Sequence, residues 1–75
     1  MSNVTKSMRD LVREIRRLSN ALTYDSDFVF EDVEGNDLWC LGESIHDMKI
    51  TLQRLMDKAT ELEYQLYLIR RDDTR

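Results

Sequence analysis

The sequence contains no proline, only two glycines, and one residue each of cysteine and histidine among its 75 positions. With Cys40 alone, the chain cannot form an internal disulfide or the cysteine clusters that bind zinc and iron–sulfur centres. Two separate glycines cannot make a glycine-rich phosphate loop, and one histidine cannot supply a His-Glu-x-x-His zinc motif. We therefore expect no cofactor, no metal ion and no catalytic residues.

Long apolar runs are also missing. No stretch approaches the roughly 18 apolar residues that a membrane span needs, and residues 1–6 contain no apolar signal-peptide segment. We expect a cytoplasmic protein that does not contact a membrane. A chain of this length is expected to form a single domain whose small core is only marginally stabilising. Its 41% apolar and 35% charged residues favour a folded helical protein over a disordered one.

Lys and Arg are absent from residues 23–48, which carry eight acidic residues and a formal charge of −8 with His46 neutral. Residues 1–22 carry +3 and residues 49–75 carry +1, so the net charge of −4 conceals a strongly acidic middle. An EF-hand calcium loop starting at Asp25 is disfavoured, because Val29 and Phe30 occupy its fifth and sixth positions. The isoelectric point near 4.8 disfavours direct nucleic-acid binding by the basic first segment.

Two apolar stripes indicate helices. Residues at alternating spacings of four and three predict an amphipathic helix over about residues 5–22, and a longer stripe predicts a second helix over about residues 37–71. The first stripe is Val4, Met8, Leu11, Ile15, Leu18 and Leu22. The second is Leu38, Leu41, Ile45, Met48, Leu52, Leu55, Ala59, Leu62, Leu66 and Ile69. The predicted fold is all-α, a helical hairpin with heptad-patterned helices.

Between these stripes the spacing is lost, and Asp, Ser, Gly and Asn gather over residues 23–36. We predict that this segment is a connection without helical structure. The alternative is a short β-hairpin in which residues 28–33 pair with residues 38–41 around Gly35 and Asn36. That pairing is disfavoured because it sets the like charges of Glu34 and Asp37 opposite each other.

The unequal predicted helices favour self-association. At about 1.5 Å per residue, the first helix covers roughly 27 Å and the second about 50 Å, so half of the longer stripe lacks a partner. We predict a homodimer, parallel or antiparallel, that forms a coiled-coil-like four-helix bundle. The predicted self-association residues are Leu52, Leu55, Leu62, Leu66, Tyr67 and Ile69.

The acidic segment and its borders also contain aromatic residues, which a purely solvating linker does not need. Aromatic side chains often anchor protein interfaces, and carboxylates complement basic partner surfaces. The competing interpretation is that the aromatics cover the end of the bundle while the acids keep it soluble. The predicted partner-binding residues are Asp25, Asp27, Phe28, Phe30, Glu31, Asp32, Glu34, Asp37 and Trp39.

Together these features predict a non-enzymatic protein–protein interaction module, a small acidic adaptor or regulator that binds a basic protein surface. General acid–base catalysis needs titratable groups that converge, and His46 is expected at a solvent-facing or boundary position. The alternative function is an acidic inhibitor of a nucleic-acid-handling enzyme. In size and charge the chain is similar to small phage-encoded inhibitors that imitate nucleic-acid phosphates.

Overall fold

The computed structural model describes residues 4–73, which form two antiparallel helices packed as a hairpin. Helix α1 spans Lys6–Glu34, helix α2 spans Leu38–Asp73, and residues 35–37 form the turn between them. The hairpin measures 58 × 15 × 13 Å. The all-α class and the helical hairpin predicted from the two stripes are therefore confirmed. Neither described helix has a segment long and apolar enough to cross a membrane.

Helix α1 begins at a side-chain cap. The hydroxyl oxygen of Thr5 accepts a hydrogen bond from the backbone N–H of Met8 at 3.1 Å, which satisfies one of the unpaired donors of the first turn. At the other end, the Gly35 N–H donates to the Glu31 carbonyl oxygen at 2.8 Å. Asn36 then takes a positive φ of 53°, a conformation that Asn adopts more readily than most residues. The chain reverses at this point.

The predicted connection over residues 23–36 is wrong, because α1 continues to Glu34. Asp25, Val29 and Asp32 extend the spacing of four and three beyond Leu22, and all three are half-buried. The two aspartates occupy positions where an apolar residue was expected, and their carboxylates accept hydrogen bonds from α2. The alternative β-hairpin is also wrong, since residues 4–73 contain no strand.

Helix α2 begins and ends close to the predicted bounds. The Cys40 backbone N–H donates to Asp37 Oδ1 at 3.1 Å, so Asp37 caps this helix. Hydrogen bonds from the Cys40 backbone and thiol lower the pKa of Asp37. Because α1 has 29 residues and α2 has 36, the helices are similar in length. The length difference that supported a homodimer in the sequence is therefore largely removed.

The buried core of the described chain is small and lies toward the open end of the hairpin. Its apolar members are Met8, Leu11 and Leu18, all from α1, with exposed fractions of 4 to 8%. The α2 side contributes half-buried residues seven positions apart, which are Leu41, Met48, Leu55 and Leu62, and Ile69 continues this row. The seam between the helices is thus narrow and only partly apolar.

A polar row lies beside these apolar residues on the inner side of α2. It consists of Ser44, Thr51, Lys58 and Gln65, which are again seven positions apart and at least half-buried. Gln65 donates to the Ser7 hydroxyl oxygen across the seam at 2.9 Å. The outer half of the predicted α2 stripe, which is Leu38, Ile45, Leu52, Ala59 and Leu66, is exposed. The structure therefore divides the predicted stripe between an inner and an outer row.

Candidate functional site

The acidic part of α1 lies against the first turns of α2, and together they form a groove near the turn. Two hydrogen bonds across the seam fix its inner carboxylates. Ser44 Oγ donates to Asp32 Oδ2 at 2.5 Å, and Thr51 Oγ1 donates to Asp25 Oδ2 at 2.6 Å. Thr51 is only 9% exposed, so this second pair is the better shielded from water. These two aspartates form the floor of the groove.

The groove has a volume of about 450 Å³ and is open to solvent along one side. Its lining contains five carboxylates and no basic side chain. Apart from Asp25 and Asp32, the lining carboxylates are the exposed residues Glu31, Glu43 and Asp47, which we call the rim acids. Clustered carboxylates in a concave site produce a negative potential that attracts cationic groups.

Phe28 and Cys40 are the remaining side chains that line the groove beside Ser44. Phe28 is 52% exposed, so its ring offers apolar surface next to the carboxylates. The Cys40 thiol is also exposed, and its pKa is raised, chiefly by its hydrogen bond to Asp37 and by the negative charge of that residue. Desolvation and the charges of Asp32 and Glu43 raise this pKa further. The thiol therefore stays protonated and weakly nucleophilic near neutral pH.

The structure brings together only part of the predicted partner-binding set. Asp25, Phe28, Glu31 and Asp32 line the groove, whereas Asp27, Phe30, Glu34, Asp37 and Trp39 do not. Phe28 and Phe30 are two residues apart on a helix, so their side chains leave it on different sides. Phe30 is 65% exposed and Trp39 is 82% exposed. The aromatics predicted as joint anchors are therefore separated.

Sequence reasoning missed the part of the groove that α2 supplies. These residues are Cys40, Glu43, Ser44 and Asp47. The spacing of Cys40, Ser44 and Asp47 places them on one side of a helix, which is a detectable signal. That signal indicates a groove only when the opposing acidic segment is known to be helical.

The predicted self-association residues fall into different environments. Leu55, Leu62 and Ile69 are half-buried against α1, whereas Leu52 and Leu66 are exposed. Tyr67 is 57% exposed, and its ring stacks on Tyr64 with centroids 6.4 Å apart. The chain therefore uses the first three residues within its own hairpin, while the others remain open to solvent.

Within residues 4–73, no group of three His, Cys, Asp or Glu side chains is placed to hold a metal ion. His46 is exposed on α2. The fold and the groove together define an acidic helical hairpin with one concave, carboxylate-lined end. No family model, no curated protein and no solved structure matches this chain.

Proposed function

We propose that this protein is a non-enzymatic interaction module that holds a basic segment of another protein in the acidic groove. The observation that carries this proposal is the groove lining, which has five carboxylates and no compensating base. Cationic side chains of a partner would be steered toward this end of the molecule before contact. The protein would then act as an adaptor or regulator that occupies a basic surface.

Each part of the groove has a distinct role in this proposal. Asp25 and Asp32 are held by hydroxyl groups, so they present fixed negative charge at the floor. The rim acids have exposed carboxylates that can turn toward a Lys or Arg side chain. Phe28 supplies apolar surface for the aliphatic part of those side chains, which are long enough to pack their stems while their charged ends remain hydrated.

The Cys40 environment supports binding over nucleophilic catalysis. A cysteine nucleophile needs a lowered pKa, which basic neighbours or a metal ion provide. Here the neighbours are acidic, and they raise the pKa of the thiol.

Affinity capture from extract of the native cell, with three versions of the protein as bait, tests this proposal. The first is wild type, and the second carries Glu31→Gln, Glu43→Gln and Asp47→Asn at the rim. The matched control has the same change in charge outside the groove, with Asp27→Asn, Glu34→Gln and Glu61→Gln. We expect wild type and control to retain the same protein partner and the rim variant to lose it. Equal retention by all three versions would refute the groove as the binding site.

A second comparison separates the proposed module from the alternative, an inhibitor that imitates nucleic acid. For the module, Phe28→Ala should weaken binding of the captured partner, whereas Phe30→Ala, two positions away and outside the groove, should not. For the inhibitor, loss of charge should dominate, and binding should weaken steeply with added salt. A nucleic-acid-handling enzyme as partner, with no effect of Phe28→Ala, would establish the alternative.

A further inference from the structure

On one long side of the hairpin, each helix has a row of residues that borders the seam. Neither of these two rows contains a charged residue. On α2 this side carries Leu38, Ile45, Leu52, Ala59 and Leu66, and on α1 it carries Val12, Ser19, Ser26 and Val33. We call these nine residues the uncharged face. At the open end, Val12 lines a mainly apolar groove together with Ala59 and Leu66, which shows that the two rows lie on the same side. Glu63, which belongs to neither row, is the one charged residue in the lining of that groove.

The uncharged face is exposed in the single chain. Leu52 is 45% exposed, Leu66 is 37% exposed and Val12 is 43% exposed. The acidic groove lies on the opposite side of the seam, where Asp25 and Asp32 meet the polar row of α2. A partner on the uncharged face therefore does not cover the acidic groove.

The total surface indicates how much area remains to be covered. The chain exposes 6224 Å², whereas a compact monomer of this mass exposes about 4,900 Å². A typical stable interface buries about 800 Å² on each partner. The excess surface is thus large enough for one interface along the length of the hairpin, and a second copy would supply an equally uncharged face.

The charge distribution sets the orientation of that second copy. Residues 23–48, at the turn end, carry −8, whereas the rest of the sequence carries +4. A parallel pair would place the two −8 ends side by side. An antiparallel pair places each acidic end beside the basic end of its partner. The neighbouring ends then attract each other instead of repelling.

We propose that two copies pack antiparallel through their uncharged faces, around a two-fold axis that passes near Leu52. Leu52 is the middle member of the α2 row, so an antiparallel pair matches this row with itself across the axis. Combined with the proposed function, on which this step rests, the arrangement presents two acidic grooves at opposite ends of one assembly. Such a dimer holds two basic partner segments at once.

The mass in solution tests the interface. Analytical ultracentrifugation at micromolar concentration should give twice the 9.0 kDa of one chain. Leu52→Glu should raise the dimer Kd by about 100-fold or more, because it buries a charge in an apolar interface. The matched control is Ile50→Glu, since Ile50 is similarly exposed at 39% but lies outside the uncharged face. Ala59→Glu is a second variant of the uncharged face. It tests the same interface without removing a large apolar side chain.

The native Cys40 tests the orientation without any substitution, because it is exposed and can carry a nitroxide label. Cys40 is 12 residues from Leu52 in α2. At about 1.5 Å per residue, an antiparallel dimer separates the two labels by about 36 Å along its axis, plus a lateral offset. In a parallel dimer the labels lie at the same level, within about twice the 15 Å width of one hairpin. Double electron–electron resonance measures the distance between the two labels and distinguishes these cases.

A dimeric mass, its loss in Leu52→Glu and a long label distance together are the expected result. A monomer in the wild type, or equal effects of Leu52→Glu and Ile50→Glu, would overturn the interface, and a short distance would overturn the orientation. The groove proposal predicts a different pattern for these variants. The rim variant should remain dimeric while losing the partner, and Leu52→Glu should become monomeric while keeping it.

Discussion

At the residue scale, the polar pairs in the seam replace apolar contacts that would otherwise join the helices near the turn. Asp25 and Asp32 are acceptors, and each accepts one hydrogen bond from a hydroxyl group of α2. Removing one partner of a shielded hydrogen bond leaves the other unsatisfied, which costs more than the bond itself contributes. These pairs therefore fix how the helices align while keeping negative charge at the groove floor.

Thr51→Val should reduce the free energy of unfolding by about 1 to 2 kcal/mol, because it leaves Asp25 without its hydroxyl donor. The double variant Asp25→Leu/Thr51→Val should recover most of that loss, since both polar groups are replaced together. Urea unfolding followed by circular dichroism measures both values, and Thr60→Val serves as an exposed control. A single variant as stable as wild type would show that the pair does not join the helices.

Cys40 should react with iodoacetamide more slowly at pH 8 than an unhindered cysteine does. The raised pKa means that a smaller fraction of the thiol is ionised at a given pH, and only the thiolate reacts. Asp37→Asn removes the main cause, so the pKa should fall and the rate at pH 8 should rise. The midpoint of the pH–rate profile measures the change. An unchanged midpoint in Asp37→Asn, or an equal change in the exposed control Asp27→Asn, would contradict this account.

At the element scale, the apolar pattern predicted the hairpin and the extent of α2, but it missed the second half of α1. Apolar spacing ends at Leu22, although the same positions continue through Asp25, Val29 and Asp32. An aspartate at a seam position indicates a loop when only its own segment is considered. It fits a helix once Ser44 and Thr51 face it, and that pairing depends on how the two helices align in three dimensions.

Gly42→Ala should stabilise the protein by about 1 kcal/mol, because glycine is less favourable than alanine inside a helix. A Cβ atom at this position meets no atom within 4 Å, so nothing offsets the gain. Gly35→Ala is the contrasting variant, since its Cβ would lie 3.2 Å from the Glu31 carbonyl oxygen. Thermal unfolding should show a higher midpoint for Gly42→Ala than for wild type and no comparable rise for Gly35→Ala. A decrease for Gly42→Ala would contradict an uninterrupted α2.

At the scale of the whole molecule, the charge polarity follows directly from the sequence, because residues 23–48 contain no Lys or Arg. The groove does not follow from composition. It forms only because α1 extends to Glu34 and sets its carboxylates opposite Glu43 and Asp47 of α2. The same extension creates the long uncharged face on the other side of the seam. Both proposals therefore depend on the helical state of residues 23–34.

Amide hydrogen exchange of residues 23–34, measured by nuclear magnetic resonance on the free protein, tests that dependence most directly. Helical N–H groups exchange only when the helix opens, so we expect slow exchange at Val29 and its neighbours, comparable to that of α2. Exchange at the rate of an unstructured chain throughout residues 23–34 would contradict the account, because neither the acidic groove nor the full uncharged face would then exist.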